Sequence, residues 1–284
     1  MPAPIRLAFS PDSDDLFMFW ALLNGKVDTE GLTFVAERAD TESLNERVAG
    51  GEVDVSAVSI ARYATIAEDW LLLPHGMSVG RNYGPVVVAN EPCTLESLAG
   101  KRIGTPGLKT TAHLVLSLVA PRFEAVVVPI APFSRAFEAV RTGEVAATTL
   151  IHEGRLTYAQ EGFALVADLG VAWSRLTGGL PLALGGNVIA RRLGPELIAQ
   201  VSRLCRASIA WAIAHREEVI DGLAKGDERN LGFDRAMVST YLDLYANADT
   251  AEAPEDVREA VRELFRRAHA AGLHERLVTV EYAP

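Results

Sequence analysis

The sequence predicts an α/β fold of two lobes with a ligand cleft between them. Three observations carry that expectation. Short apolar strand candidates alternate with amphipathic segments up to about residue 192, the pattern of a mainly parallel sheet with helices on its faces. Two β-rich stretches, near 86–90 and 186–190, bracket a middle block of further β–α repeats. The chain after them is almost purely helical. The boundaries that follow are 1–89 plus 188–284 for a larger lobe and 90–187 for a smaller one.

The first strand is 5–9, where IRLAF is almost wholly apolar. A helix over 14–23 follows; Ser13 is placed to cap it, and Asp14 and Asp15 suit the positive end of its dipole. A second strand is expected at 32–36. A short helix at 41–49 has Leu44 and Val48 four residues apart on one face. Strands at 53–56 and 70–73 flank a helix at 60–66. The glycine-rich run 76–85, with His75, Arg81 and Tyr83 near it, reads as a hinge-type turn before the β-prone VVVA at 86–89. In the middle block, strands are expected near 102–103, 125–128, 145–149 and 164–167. Helices are expected near 95–98, between 110 and 119, and near 133–141. LPLALGGNVIARR (180–192) sets strand residues around flexible glycines. Leu197, Val201, Leu204, Ser208 and Trp211 stripe a helix from Pro195 to His215, with proline in its first turn. Val257, Ala260, Val261, Leu264, Phe265 and Ala268 do the same after Pro254. The two-crossing pattern resembles the type II periplasmic-binding-protein fold, an analogy that by itself assigns no function.

Composition narrows the partners. The 284 residues are 49% hydrophobic, ample for a sizeable core. A net charge of −10 argues against nucleic acid, which requires a basic face. It also means that an anionic small molecule needs a local positive feature, such as a helix N-terminus. Cys93 and Cys205 form no C-x-x-C pair and have no histidine at ligand spacing, so two reduced structural thiols are expected. The opening residues lack a basic stretch followed by an apolar one, and no apolar run approaches the roughly 18 residues of a membrane span. The expected location is the cytoplasm, and no membrane span or metal site is expected.

Four segments are candidates for the cleft. In VAATTLIHEGRLTY the strand-like stretch 145–151 ends in His152, and strand ends present side chains to ligands in α/β proteins. Histidine accepts a proton near neutrality; the plainer reading is a residue capping the next helix or filling the core edge. Glu153 either orients His152 or is a first-turn acid of that helix, the second being the preferred reading. GTPGLKTTAHLVLSL places Thr110 and Thr111 where a strand turns into a helix, suited either to a carboxylate or to an ordinary threonine cap. It lacks the spacing of a phosphate-binding P-loop. Ser56-Ala57-Val58-Ser59 joins a strand to a helix through small residues that let a ligand approach the backbone, or simply makes a tight turn with Ser59 as cap. Asp12, Asp14 and Asp15 follow the first strand; acids before a helix are usually capping residues rather than metal ligands.

Taken in order, SPDSDDLFMFWAL, SAVSIARYA, SVGRNYGPVVVA, GTPGLKTTAHL, TLIHEGRLTYAQEGF and LPLALGGNVIARR resemble the 1,4-dihydroxy-6-naphthoate synthase family of the futalosine route to menaquinone. The resemblance runs from residue 5 to about 250. It implies a cytoplasmic lyase that splits cyclic dehypoxanthine futalosine without a cofactor. It also implies His152 as the proton-accepting base, and Ser56 to Ser59 and Thr110-Thr111 as substrate-contacting turns. Asn45, in TESLNERV, would face the cleft. Some members of that family open with SP-x-PND where this chain has SPDSDD, and some carry Lys-Leu-Ser where it has Ala57-Val58-Ser59. Two alternatives share the fold: a cytoplasmic sensor that binds a small carboxylate, and a related lyase such as chorismate dehydratase.

Overall fold

The computed structural model describes residues 3–129, 134–226 and 234–284. Eleven strands are described: β1 (Ile5–Phe9), β2 (Phe34–Arg38), β3 (Val55–Ser59), β4 (Trp70–Leu72), β5 (Ser78–Gly80), β6 (Val86–Ala89), β7 (Arg102–Thr105), β8 (Glu124–Val127), β9 (Ala147–Leu150), β10 (Ala164–Asp168) and β11 (Leu182–Ala190). They form two sheets, one ordered β2-β1-β3-β11-β4 with β5 also on β11, the other β10-β6-β9-β7-β8.

Both sheets are mixed, which corrects the expectation of mainly parallel pairing. β1 pairs in parallel with β2 and β3, and β7 with β8 and β9. β6 and β11 carry the chain from one sheet to the other and enter against the prevailing direction. β11 therefore runs antiparallel to β3, β4 and β5, and β6 antiparallel to β9 and β10. Sheet pairing puts Val86–Ala89 in the second sheet and the whole of Leu182–Ala190 in the first. The chain thus changes sheets a few residues earlier than the 89/90 and 187/188 boundaries drawn from sequence.

Three apolar clusters hold these sheets. The largest surrounds the first sheet and reaches into the second through Val87, Ile103, Leu114 and Trp173. A smaller one fills the second lobe around Val86, Val88, Phe137 and Phe163. A third joins Phe17 to Val219, Ile220, Val238 and Leu242 in the C-terminal helices. The helix expected near 133–141 is Ser134–Arg141; Phe133 lies outside the described residues. The Pro195–Ala214 helix is long and apolar enough to cross a membrane by length and composition, contrary to the expectation that no segment is. Here it is a core helix, burying Ile198, Val201, Leu204, Cys205 and Ile209. Both cysteines are free, and burial pushes the Cys205 thiol up to about 12.

Two expected caps are corrected. The first helix starts at Ser13, with Asp12 as its extended N-cap residue, and the Asp12 side chain does not cap. Ser59 precedes the Ile60–Tyr63 helix but makes no side-chain cap bond either. In both places the side chain is recruited to a longer-range contact.

Candidate active site

The turn after β9 sets the centre of the site. Leu150 is the last residue of the strand, and His152 takes a left-handed φ of 52° two residues later. Few non-glycine residues adopt that conformation, and it is held only where the surroundings over-determine it. Here the surroundings are two hydrogen bonds from the other lobe. His152 Nδ1 lies 2.6 Å from Asp12 Oδ2, and Nε2 lies 3.0 Å from Thr41 Oγ1. With Nδ1–H given to Asp12, Nε2 is the nitrogen left to exchange a proton with a ligand.

The charges around His152 decide its state. Burial disfavours the imidazolium. The Asp12 carboxylate, helped by Glu153 and Asp14, overcomes that and pushes His152 up to about 9. The sequence led to a base titrating near neutrality; the carboxylate pairing, invisible in one dimension, corrects that. Asp14 moves as well. Burial and the neighbouring Asp12 charge push it up to about 6, and Asp15 is raised well above the ordinary carboxyl range for the same reasons.

Asp12, Asp14, Asp15, Thr41 and His152 line a cleft between the lobes. β1 and the helix after it supply Ser10, Asp12, Asp14 and Asp15; β3 supplies Ala57, Val58 and Ser59; the β7 turn supplies Thr110, Thr111 and Ala112. Of the sequence candidates, His152, Ala57, Val58, Ser59, Thr110 and Thr111 are brought together here. Ser56 and Asn45 are not among the lining residues. The Ser56 hydroxyl is buried and donates to the Ala57 carbonyl. Asn45 stands behind the wall: its Oδ1 accepts from Ser59 N–H and its Nδ2 donates to Ser59 Oγ. Asn45 therefore positions Ser59.

In the threonine turn Thr110 takes the plainer of the two readings, an ordinary cap. Thr110 Oγ1 caps the helix by accepting from His113 N–H, and it donates to the Gly107 carbonyl. Thr111 Oγ1 donates to the Leu184 carbonyl and accepts from Ala61 N–H. Both hydroxyls are committed to the fold. What the turn offers a ligand is the first-turn backbone N–H groups of Thr111 and Ala112 at the positive end of the Thr111–Val119 helix.

Glu153 is also reassigned. It is 1% exposed, makes no cap bond, and accepts from Ser13 Oγ at 2.9 Å across the lobes. Three lining residues carried no sequence signal strong enough to be chosen. Arg155 stands over the Tyr83 ring, donates to Tyr245 Oη at 3.2 Å and pairs with Asp168 at 3.1 Å. Tyr241 and Tyr245, four residues apart on one helix, line the same cleft; that i, i+4 spacing after the striped helix was the available clue. Asp12, Asp14 and His152 offer donor atoms within 4.8 Å of one another, the types a divalent cation accepts. The 2.6 Å Asp12–His152 bond already pairs one atom of each.

The arrangement is a histidine–carboxylate pair in an enclosed cleft, with a second raised carboxyl beside it and a helix N-terminus nearby. That is equipment for proton transfer on a small anionic molecule. A family model described as menaquinone biosynthesis matches residues 5–270. The chain belongs to that family. A 1,4-dihydroxy-6-naphthoate synthase from Thermus thermophilus is 38% identical over 270 residues, 95% of each chain. One from Streptomyces coelicolor is 35% identical over 280 residues, covering 95% of this chain and 94% of that one. The menaquinone biosynthesis family thus includes enzymes that match this chain along nearly its whole length. In fold, an alkanesulfonate-binding protein from Xanthomonas axonopodis pv. citri superposes with a TM-score of 0.74 at 19% identity, covering 98% of this chain and 96% of that one. The fold is that of the periplasmic binding proteins.

Proposed function

We propose that the chain is a cytoplasmic carbon–carbon lyase that converts cyclic dehypoxanthine futalosine to 1,4-dihydroxy-6-naphthoate, with His152 as general base. The observation that carries the reading is the His152–Asp12 pair, 2.6 Å apart, held in a strained turn on the cleft wall. Asp12 fixes the tautomer and supports the imidazolium that forms when Nε2 takes a proton, the part a buried carboxylate plays beside a catalytic histidine. The substrate hydroxyl takes the place of Thr41 at Nε2. Its deprotonation starts a retro-aldol-like cleavage driven by aromatisation of the naphthalene ring. The Thr111 and Ala112 N–H groups receive the substrate carboxylate, offsetting the acidic wall. Enclosure between lobes excludes water and holds the reacting atoms in line.

The test is turnover by the parent and His152→Ala, followed by mass spectrometry. Naphthoate from the parent and a loss of about 10²–10⁴-fold in the variant is the expected result, the usual contribution of a positioned acid–base group. Equal rates would remove His152 as the base. No product from either folded protein would favour a binding protein or a lyase acting on another carboxylate.

A further inference from the structure

Arg155, Tyr241 and Tyr245 are left over by the reading above. All three line the cleft, and Arg155 is the one guanidinium or ammonium group among the described residues that do. It comes from the same turn as His152, its backbone N–H donating to the His152 carbonyl at 3.3 Å. Three neighbours hold its side chain. Nη2 donates to Asp168 Oδ2 at 3.1 Å, Nη1 donates to Tyr245 Oη at 3.2 Å, and the guanidinium lies 5.4 Å from the centre of the Tyr83 ring. Asp168 is itself fixed, because its Oδ1 accepts from the Gly170 and Val171 N–H groups.

Two donors in this cluster are unspent. The buried Arg155 Nε–H has no hydrogen-bond partner among the described residues, and a donor left so is costly. Tyr245 Oη accepts from Arg155, so its own proton is free to be given. The charge, by contrast, is spent, since Asp168 offsets it at 3.1 Å. A guanidinium offset in this way pulls weakly on a carboxylate. It keeps its directed N–H groups, which suit an uncharged oxygen. Tyr241 and Tyr245 pack with ring centroids 5.0 Å apart, adding apolar surface beside those donors.

We propose that Arg155, Tyr241 and Tyr245 form the subsite for the uncharged, hydroxyl-bearing half of the substrate; this rests on the lyase reading. That reading divides the substrate at the bond that breaks. The aromatic half leaves as naphthoate and carries the carboxylate to the Thr111 and Ala112 N–H groups. The other half bears the hydroxyl whose proton goes to His152 Nε2, and it leaves as a carbonyl compound. It therefore lies beside His152, at the turn that also presents Arg155. The Arg155 Nε–H and the Tyr245 hydroxyl donate to its oxygens, and the tyrosine rings cover its carbon chain.

The experiment compares two ligands on the parent, Arg155→Met and Tyr245→Phe. Cyclic dehypoxanthine futalosine has both halves, and 1,4-dihydroxy-6-naphthoate, kept reduced under argon, has the aromatic half alone. For the full substrate, kcat/KM is expected to fall about 10–100-fold in Arg155→Met and about 10-fold in Tyr245→Phe. The Kd of naphthoate, read by calorimetry, stays within about twofold of the parent in both. A merely structural role weakens both ligands alike. That result, or a kcat/KM within about twofold of the parent, overturns the subsite. Arg155→Met leaves Asp168 without its cation; if it does not fold, Tyr245→Phe, which keeps the ring, decides alone. If the parent makes no naphthoate, the lyase reading fails and calorimetry judges the subsite separately. Cyclic dehypoxanthine futalosine binding the parent at least 10-fold more tightly than naphthoate, with the difference lost in Tyr245→Phe, supports the subsite. A smaller difference, or one that Tyr245→Phe retains, refutes it.

Discussion

Asp12 sets the chemistry of His152 by charge and by direction. Its Oδ2 takes the Nδ1–H, and it is the leading reason that the ring holds its proton well above the usual range. Asp12→Asn keeps the shape and removes the charge. His152 is therefore expected to fall from about 9 toward the ordinary value near 6.5, read by NMR of the ring protons. A His152 that still titrates near 9 in the variant would assign the effect elsewhere. Stability follows the same linkage. A histidine raised on folding contributes fully below its unfolded value, about 6.5, and loses that contribution as pH rises through about 9. The parent should thus lose thermal stability across that window through this group, and Asp12→Asn should lose less. His152 at a strand end was legible in one dimension because a polar residue stops an apolar run. Its partner was not, because Asp12 and His152 are joined only when two strand ends from different sheets face each other.

Short elements show where local pattern fails. β1 and β6 coincide with the apolar runs IRLAF and VVVA, because their side chains are buried almost throughout. β3 was expected to stop at Ser56 yet runs on through Ala57, Val58 and Ser59. Ala57 and Ser59, on either side of Val58, have no strong strand preference; pairing of Gly185, Gly186 and Asn187 on β11 against this stretch extends the strand. β5, expected as hinge turn, is likewise a strand only because β11 reaches it. The first crossing imposes a stricter demand. A Cβ on Gly170 would stand 2.0 Å from the Tyr83 carbonyl carbon, since the crossing loop lies directly on the start of the Leu169–Thr177 helix. Gly170→Ala is expected to cost about 1–3 kcal/mol or more, because neither backbone can yield as a flexible side chain would. It should also displace Tyr83, whose ring carries Arg155. Thermal denaturation checks the first effect; a melting temperature unchanged from the parent would show that the crossing can shift.

At the scale of the molecule, hydrogen bonds and ion pairs span the two lobes around one cleft. Asp12 and Thr41 reach His152, Ser13 reaches Glu153, Arg155 reaches Tyr245, and Lys109 pairs with Glu46. The last of these is exposed and contributes little. Thr111 is different, because its hydroxyl is buried and serves two backbone groups of the first sheet's lobe, Ala61 N–H and Leu184 C=O. The sequence left Thr111 open between a ligand contact and an ordinary cap, since a free hydroxyl and a hydroxyl spent on closure look alike until both lobes are in view. Thr111→Val keeps the shape and leaves both backbone groups without that partner, a cost of about 1–3 kcal/mol for each that stays buried. An opened cleft relieves the cost by letting water reach them. The variant is therefore expected to favour open arrangements, with a larger radius of gyration by X-ray scattering and a raised KM. The titration of His152 in the closed, ligand-bound state should stay as in the parent. If radius and KM both match the parent, Thr111 does not hold the lobes together, and closure rests on the buried contacts of His152 and Glu153 instead.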